Sequence, residues 1–403
     1  MIGLLGDSLS RYGSLLGAAI RPPPGRRRPS ARRLLVMVGF VPLFTAAQFV
    51  HWVCLLLDEI LFPAYRRVPV REPLFVVGVP RSGTTLMHRV LARDPNLTTF
   101  STWECLVAPS VTQRKLVRGL IRLDAAIGRP LARLLSLIET RVFGGLDDVH
   151  PMDLSAPEED YLALLPVMAC FVLVIPFPTA EPLWGMATVD RDMPAGRKHR
   201  LMAFYRRLLQ RHLYVHGPDK RLLSKNAAFA GMVGALRETF PDARFVRCHR
   251  DPQAVVPSQL SAIQGGVSLF DSDPANRVFT ARMTDVLRSY YDNLDRHLPR
   301  AGGDRHVVLD MARFKSDLAA TVREVYSTLG LPLAAAFADS LEDEARAARV
   351  YRSRHRYAAQ DFGLDETAIA AQFAPVQDRR GTHGHASAAK PIAPPVPAGQ
   401  QGP

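Results

Sequence analysis

Leu74-Phe75-Val76-Val77-Gly78-Val79-Pro80-Arg81-Ser82-Gly83-Thr84-Thr85-Leu86 is the stretch from which the rest of the chain can be read. It opens with an apolar, β-branched run bounded by turn residues, the pattern of a strand buried on both faces in a parallel sheet. Glycines follow at 78 and 83, then two threonines. The apolar positions Leu86, Val90 and Leu91 then predict a helix. A tight loop between a strand and a helix N-terminus gathers backbone N–H groups at the positive end of a helix dipole, which is a ready anion site.

The spacing from Gly78 to Gly83 is that of a Walker-type phosphate loop, but Thr84 stands where that loop carries lysine, and Arg81 lies inside it. Without the lysine the loop lacks the main contact to terminal phosphates, so it reads as a phosphate cradle not built for ATP hydrolysis. A plain strand-to-helix turn is the competing reading.

Working outward, 403 residues can bury one large core with appendages, and the net charge of +13 suits an anionic ligand, a nucleic acid or a membrane surface. Part of that charge is local: Arg21, Arg26, Arg27, Arg28, Arg32 and Arg33 crowd an arm that also holds Pro22-Pro23-Pro24, so residues 1–33 are expected to be a disordered basic arm. Residues 34–57 contain no Asp, Glu, Lys or Arg, long enough to span a bilayer. Pro42, Thr45, Gln48 and His51 speak against spanning. A helix over 34–62 that spans, lies in the interface or packs on the domain are the three options, and the arginines upstream would place the main domain of a spanning form outside the cytoplasm. The four cysteines, Cys54, Cys105, Cys170 and Cys248, are scattered without metal-ligand pairing, which points to a reducing, cytoplasmic setting and no structural zinc.

Beyond the loop, Asp94-Pro95-Asn96 ends the first helix. Trp103-Glu104 follows, and residues 111–145 carry helical apolar spacing. Pro157-Glu158-Glu159-Asp160 reads as a helix start, and the apolar run 161–177 as core. A helix is expected over 197–213. Strands are expected at 221–226, 243–248 and 306–309, alternating with helices. The segment from Gly381 is Gly-, Ala- and Pro-rich and is expected to be disordered. Alternating strands and helices predict an α/β fold, a P-loop-like doubly wound parallel sheet over residues 63–380, with ligand bound at the carboxyl ends of the strands. Arg81, Lys225 and Arg250 each read as falling just past such an end.

Together these features resemble the PAPS-dependent sulfotransferases (PAPS is 3′-phosphoadenosine 5′-phosphosulfate), most closely bacterial-type members with a Pro-Arg-Ser-Gly-Thr-Thr loop. The resemblance runs over about residues 55–375 and rests on Pro80 to Leu86, Trp103-Glu104, His150 through Asp160, Leu223 to Phe229 and Phe240 through Ser258. It implies that Arg81, Ser82, Gly83, Thr84 and Thr85 hold the 5′-phosphosulfate, that Arg250 and Ser258 hold the 3′-phosphate, and that Lys225 contacts the donor near the sulfate. There an ammonium would stabilise charge on the bridging oxygen. An acceptor hydroxyl needs a general base. Glu104 is the first choice by its place after the phosphate-loop helix. His150 is the second, with an ordinary pKa suited to the task.

The implied reaction needs PAPS as co-substrate and no metal, and gives PAP (the 3′,5′-bisphosphate) as product. A kinase or triphosphatase with a degenerate Walker loop, and a membrane-associated binding protein without catalysis, are the alternatives. The missing lysine and the absence of recognisable Mg²⁺ ligands argue against the former. The basic arm has no aromatic-interleaved platform beside it, so nucleic acid is not expected as a partner. The apolar loop residues Leu106, Met152, Phe171, Phe177, Trp184 and Phe270 favour a small or lipid-like hydroxylated acceptor, with contact to a membrane surface through the N-terminal segment. No sequence feature speaks to the oligomeric state.

Overall fold

The computed structural model describes residues 2–130, 133, 154–350 and 362–378. At its centre is a parallel sheet of five strands in the order β2-β3-β1-β4-β5. β1 is Leu74–Gly78, β2 Leu97–Thr98, β3 Arg221–Asn226, β4 Arg244–His249 and β5 His306–Asp310. Every residue of β1 is buried, because helices cover both faces of the sheet. Val76 sits in register beside Lys225 of β3 and Val246 of β4. The chain order reverses on either side of β1, so the crevice past its carboxyl end is the place where an α/β sheet opens for a ligand. The four strands expected from the sequence are present within one residue. β2, a two-residue edge strand, carries no periodicity that a sequence reading could detect.

Around the sheet, in chain order, lie α1 Ile2–Ala19, α2 Ala31–Leu61, α3 Thr84–Leu91, α4 Thr102–Leu106, α5 Val111–Ala126, α6 Ala195–His216, α7 Val233–Thr239, α8 Pro252–Leu269 and α9 Arg277–His297. Two further helices, α10 Leu318–Thr328 and α11 Ala335–Val350, cover the β5 side. α12, Glu366–Asp378, returns to α8 and α9. The apolar run 161–177 is core as expected: Leu164, Val167, Cys170, Leu173 and Phe177 are buried. Its acidic start opens a 3₁₀ segment, Asp160–Val167, and Pro166 keeps it from continuing as an α-helix.

The expectation of a disordered arm over 1–33 is corrected. Residues 2–19 form α1, which buries Leu15, Ala18 and Ala19 against the core, and Ser8 Oγ donates to the Pro166 carbonyl at 2.5 Å. The arginine run that suggested disorder begins only at Arg21, after an apolar stripe at helical spacing (Leu4, Leu5, Tyr12, Leu15) has found its partner surface. The hydrophobic helix expected over 34–62 runs from Ala31 to Leu61. Ser30 starts it early by accepting from the Arg33 N–H at 3.1 Å, an N-cap bond. The segment from residue 381 lies outside the described residues.

Candidate active site

β1 ends where a side chain cannot be afforded. A Cβ on Gly78 would lie 2.4 Å from the Cys248 carbonyl oxygen of β4, so only glycine lets the loop leave between the two strands. The loop then turns on Arg81, at φ +67°, and Gly83, at φ +93°. Ser82 Oγ donates back to the Val79 carbonyl at 2.7 Å and closes the turn. Gly83 is the N-cap of α3 and brings no side chain to it, so the first-turn N–H groups of α3 are left for another acceptor. Thr84 is buried in the first turn and Thr85 is exposed beside it.

Three of the expected donor-site groups meet at this loop. Arg81 Nε donates to Ser258 Oγ of α8 at 3.1 Å, and Arg250 Nη1 donates to the Arg81 carbonyl at 2.9 Å. Arg250 follows β4 directly. Tyr291 of α9 fixes its backbone by donating to its carbonyl at 2.5 Å, while Asp251 caps α8 by accepting from the Gln253 N–H at 2.9 Å. Asp251 therefore does the capping, and the Arg250 guanidinium reaches the loop. An uncapped helix start flanked by two guanidinium groups fits a bisphosphorylated ligand.

Lys225 lies within β3, paired beside Val76, and not past the strand's end as the sequence suggested; it is buried, and its Nζ donates to Glu159 Oε1 at 2.5 Å. The next residue, Asp160, is fully enclosed and accepts from Tyr205 Oη at 2.6 Å, Ser224 Oγ at 2.9 Å and the Asn226 amide. Burial pushes the Asp160 carboxyl up to about 6 against the pull of those donors. This network clamps the 159–160 turn onto the end of β3. His88 of α3 is buried, with Nε2 against Thr99 Oγ1 at 2.7 Å. Burial first, then the nearby Lys225 and Arg89 charges, bring its imidazole down to about 3, so it is neutral at ordinary pH.

Glu104 is not brought into this group. At the third position of α4 it forms a capping box with Ser101, Oε2 accepting from the Ser101 N–H at 3.1 Å and its Oγ at 3.0 Å. Its Oε1 lies 2.5 Å from His216 Nε2 and 3.6 Å from Arg114 Nε. Burial alone would raise this carboxyl. Arg114, His216 and His212 outweigh it and hold Glu104 well below the usual carboxylate range. Glu104, His212 and His216 offer ligand-type atoms within 4.8 Å of one another, but the buried Arg114 guanidinium supplies the positive charge there, donating to His212 Nδ1 at 3.3 Å. The donor set is that of a buried ion cluster and does not fit a cation. His150 lies outside the described residues.

The contact that sequence reading missed is Lys225 with Glu159. The sequence marks Glu159 only as part of an acidic helix start, and folding brings it to Lys225 across 66 residues. Of the expected acceptor-loop residues, Phe177 and Trp184 are packed into the core, at 1% and 5% exposure, though Trp184 also edges a surface cavity of about 650 Å³ beside Glu181 and Arg282.

The profile of the sulfotransferase family matches residues 73–335. Two curated relatives, each named omega-hydroxy-beta-dihydromenaquinone-9 sulfotransferase Stf3, come from Mycobacterium bovis and Mycobacterium tuberculosis. Both are 26% identical over 231 residues, 55% of this chain and 53% of theirs. The chain thus spans about half the length of the curated relatives it matches. Among solved structures, sulfotransferase STF9 from Mycobacterium avium aligns with a TM-score of 0.69 at 20% identity, covering 93% of this chain and 95% of that one. Sulfotransferase STF1 from Mycobacterium tuberculosis H37Rv aligns with a TM-score of 0.66 at 21% identity, covering 93% and 91%. At that identity the likeness speaks for the fold.

Proposed function

The chain belongs to the sulfotransferase family, and on that premise we propose that it transfers the sulfuryl group of PAPS to a hydroxyl of a partly apolar, lipid-like acceptor in a cytoplasmic setting. The observation that carries the donor assignment is the meeting of Arg81, Ser258 and Arg250 at the uncapped start of α3. In this reading the loop from Arg81 through Ser82, Gly83, Thr84 and Thr85 holds the 5′-phosphosulfate, and Arg250 with Ser258 holds the 3′-phosphate. The acceptor oxygen forms a bond to sulfur as the bond from sulfur to the bridging phosphate oxygen breaks. The electron pair leaves on that oxygen, giving PAP and a sulfate ester. Lys225 would offset the charge that builds there.

The proton of the acceptor needs a base within reach. Glu159 is the carboxylate already in contact with Lys225. As the ammonium turns toward the leaving oxygen, the Glu159 carboxylate is released from it and can accept a hydrogen bond from the acceptor hydroxyl. Glu104 and His150 are the other candidates, and Glu104 would have to leave its capping box to serve. A lipid-like acceptor draws support from the relatives, which are named for a hydroxylated menaquinone derivative. The four free, buried cysteines suit a reducing compartment.

Calorimetric titration of the parent and of Arg250→Ala with PAP, 5′-AMP and ATP tests the donor site. PAP should bind the parent more tightly than either other ligand. The variant should lose at least roughly tenfold in PAP affinity with little change for 5′-AMP, since one charge-assisted contact is worth about 1.5–3 kcal/mol. Equal losses for PAP and 5′-AMP would remove Arg250 from the 3′-phosphate. A preference for ATP with Mg²⁺ would overturn the donor assignment.

A further inference from the structure

α2 has two faces of different fate. Its inward stripe runs Arg33, Met37, Gln48, His51, Trp52, Leu55 and Asp58 at helical spacing, all buried. Both ends of that stripe are fastened to the same body. At one end Arg33 Nη1 donates to the Phe270 carbonyl and Nη2 to the Pro176 carbonyl, each at 3.0 Å. At the other, Asp58 Oδ2 pairs with Arg211 Nε at 2.7 Å, and Asp58 also accepts from the Val111 and Thr112 N–H groups at 2.9 and 2.8 Å. A helix held in this way cannot cross a bilayer with the domain on one side unless these bonds are given up.

The opposite face is apolar and open. Leu35 is 76% exposed, Val38 71%, Leu43 73%, Phe49 70% and Ile60 75%, far beyond the isolated apolar side chains of an ordinary surface. α1 and α5 both pack on α2 and leave more apolar side chains outside, among them Leu9 and Leu16 of α1 and Leu116 and Ile121 of α5. Residues 8–57 hold seven arginines and no acidic residue, and Arg21, Arg26, Arg27, Arg28 and Arg32 are exposed at the N-terminal end of α2.

We propose that this surface seats the protein on an anionic lipid bilayer, with α2 lying along the interface and its outer face in the headgroup–acyl boundary. An apolar stripe flanked by arginines is the arrangement that binds such a surface. A second copy of the chain would cover the apolar stripe but offer the arginines no anionic groups from this segment, since residues 8–57 contain none. The inference stands apart from the donor chemistry.

The test is co-sedimentation of the full chain with extruded vesicles of phosphatidylcholine and phosphatidylglycerol in equal parts, and of phosphatidylcholine alone. The mixed vesicles should carry the protein down more strongly. The triple variant Leu43→Asp, Phe49→Asp, Ile60→Asp should lower the partition coefficient at least roughly tenfold. It should keep the parent's melting temperature and PAP titration, which separates loss of docking from loss of fold or donor site. A separate Phe49→Trp variant should be quenched most by lipids brominated near the headgroup end of the chain. Strongest quenching by deep bromines would overturn the lying geometry in favour of crossing. Equal pelleting of parent and triple variant, or a parent dimer that the triple variant dissolves while neither pellets, would overturn the membrane face.

Discussion

Arg81 sits at φ +67°, a region a side chain enters at a cost of order 1–3 kcal/mol, and the same residue carries the guanidinium that meets Ser258. The strain turns its carbonyl to Arg250, so the two cations are spaced by backbone geometry and do not merely crowd one another. Glu159 and Glu104 can be told apart as bases by what each leaves behind. Glu159→Gln should keep PAP affinity and lower kcat roughly a hundredfold, the usual scale for a general base. Glu104→Gln should instead weaken a buried ion cluster and lower stability by about 1–3 kcal/mol in urea unfolding, with turnover reduced only as far as the fold is. The reverse pattern, an inactive but stable Glu104 variant and an active Glu159 variant, would assign the base to Glu104. His88 makes a prediction in pH. Its folded pKa, about 3, lies below the ordinary value of 6.5, so above pH 6.5 both folded and unfolded states leave it neutral. As pH falls below 6.5 the unfolded chain takes a proton that the folded chain refuses, and stability drops by up to about 1.4 kcal/mol per unit from this group. His88→Gln, which can still reach Thr99, should flatten the fall in urea midpoint between pH 6.5 and 5 by up to one proton's worth; an unchanged slope would show His88 already charged in the folded protein.

At the scale of elements, the unit that matters is β1, its loop and α3. The strand, both glycines and the helix were legible because each depends on neighbours in sequence: an apolar β-branched run, turn residues and helical spacing. What the linear pattern does not contain is Met311, whose Sδ would lie 2.0 Å from a Cβ on Gly83, and Cys248, which crowds Gly78. Gly83→Ala must therefore meet both a left-handed backbone and a packed thioether. It should cost about 1–3 kcal/mol and weaken PAP binding in the same calorimetric assay. Adding Met311→Ala should relieve the contact without recovering full stability, because φ +93° remains. Full recovery would mean that packing alone had been at stake. α1 shows the converse error of reading composition over spacing: an arginine- and proline-rich arm at 21–33 hid an amphipathic helix at 2–19.

For the whole molecule, α2 is a structural member of the domain. Asp58 and Arg211 are both fully buried, and removing one partner of such a pair usually costs about 3–5 kcal/mol. A truncation beginning at residue 63, the natural choice for freeing an enzyme from a spanning anchor, should give little soluble protein and no cooperative melt; a well-folded truncated domain would show that these contacts are dispensable. The chain's linear order was enough to specify a parallel α/β sheet, the phosphate-type loop and the placement of Arg81, Lys225 and Arg250 at strand ends, since each follows from short-range pattern and the rule that such sheets bind at their carboxyl edge. It could not specify which carboxylate meets Lys225, because Glu159 is joined to it only by folding, nor that Glu104 would be drawn into a cluster with His216, 112 residues away. Nor could hydropathy, a sum over neighbours, tell which face of α2 is covered. That rests on where Arg33, His51 and Asp58 find partners, and polar groups buried far apart in sequence are satisfied only by the tertiary structure.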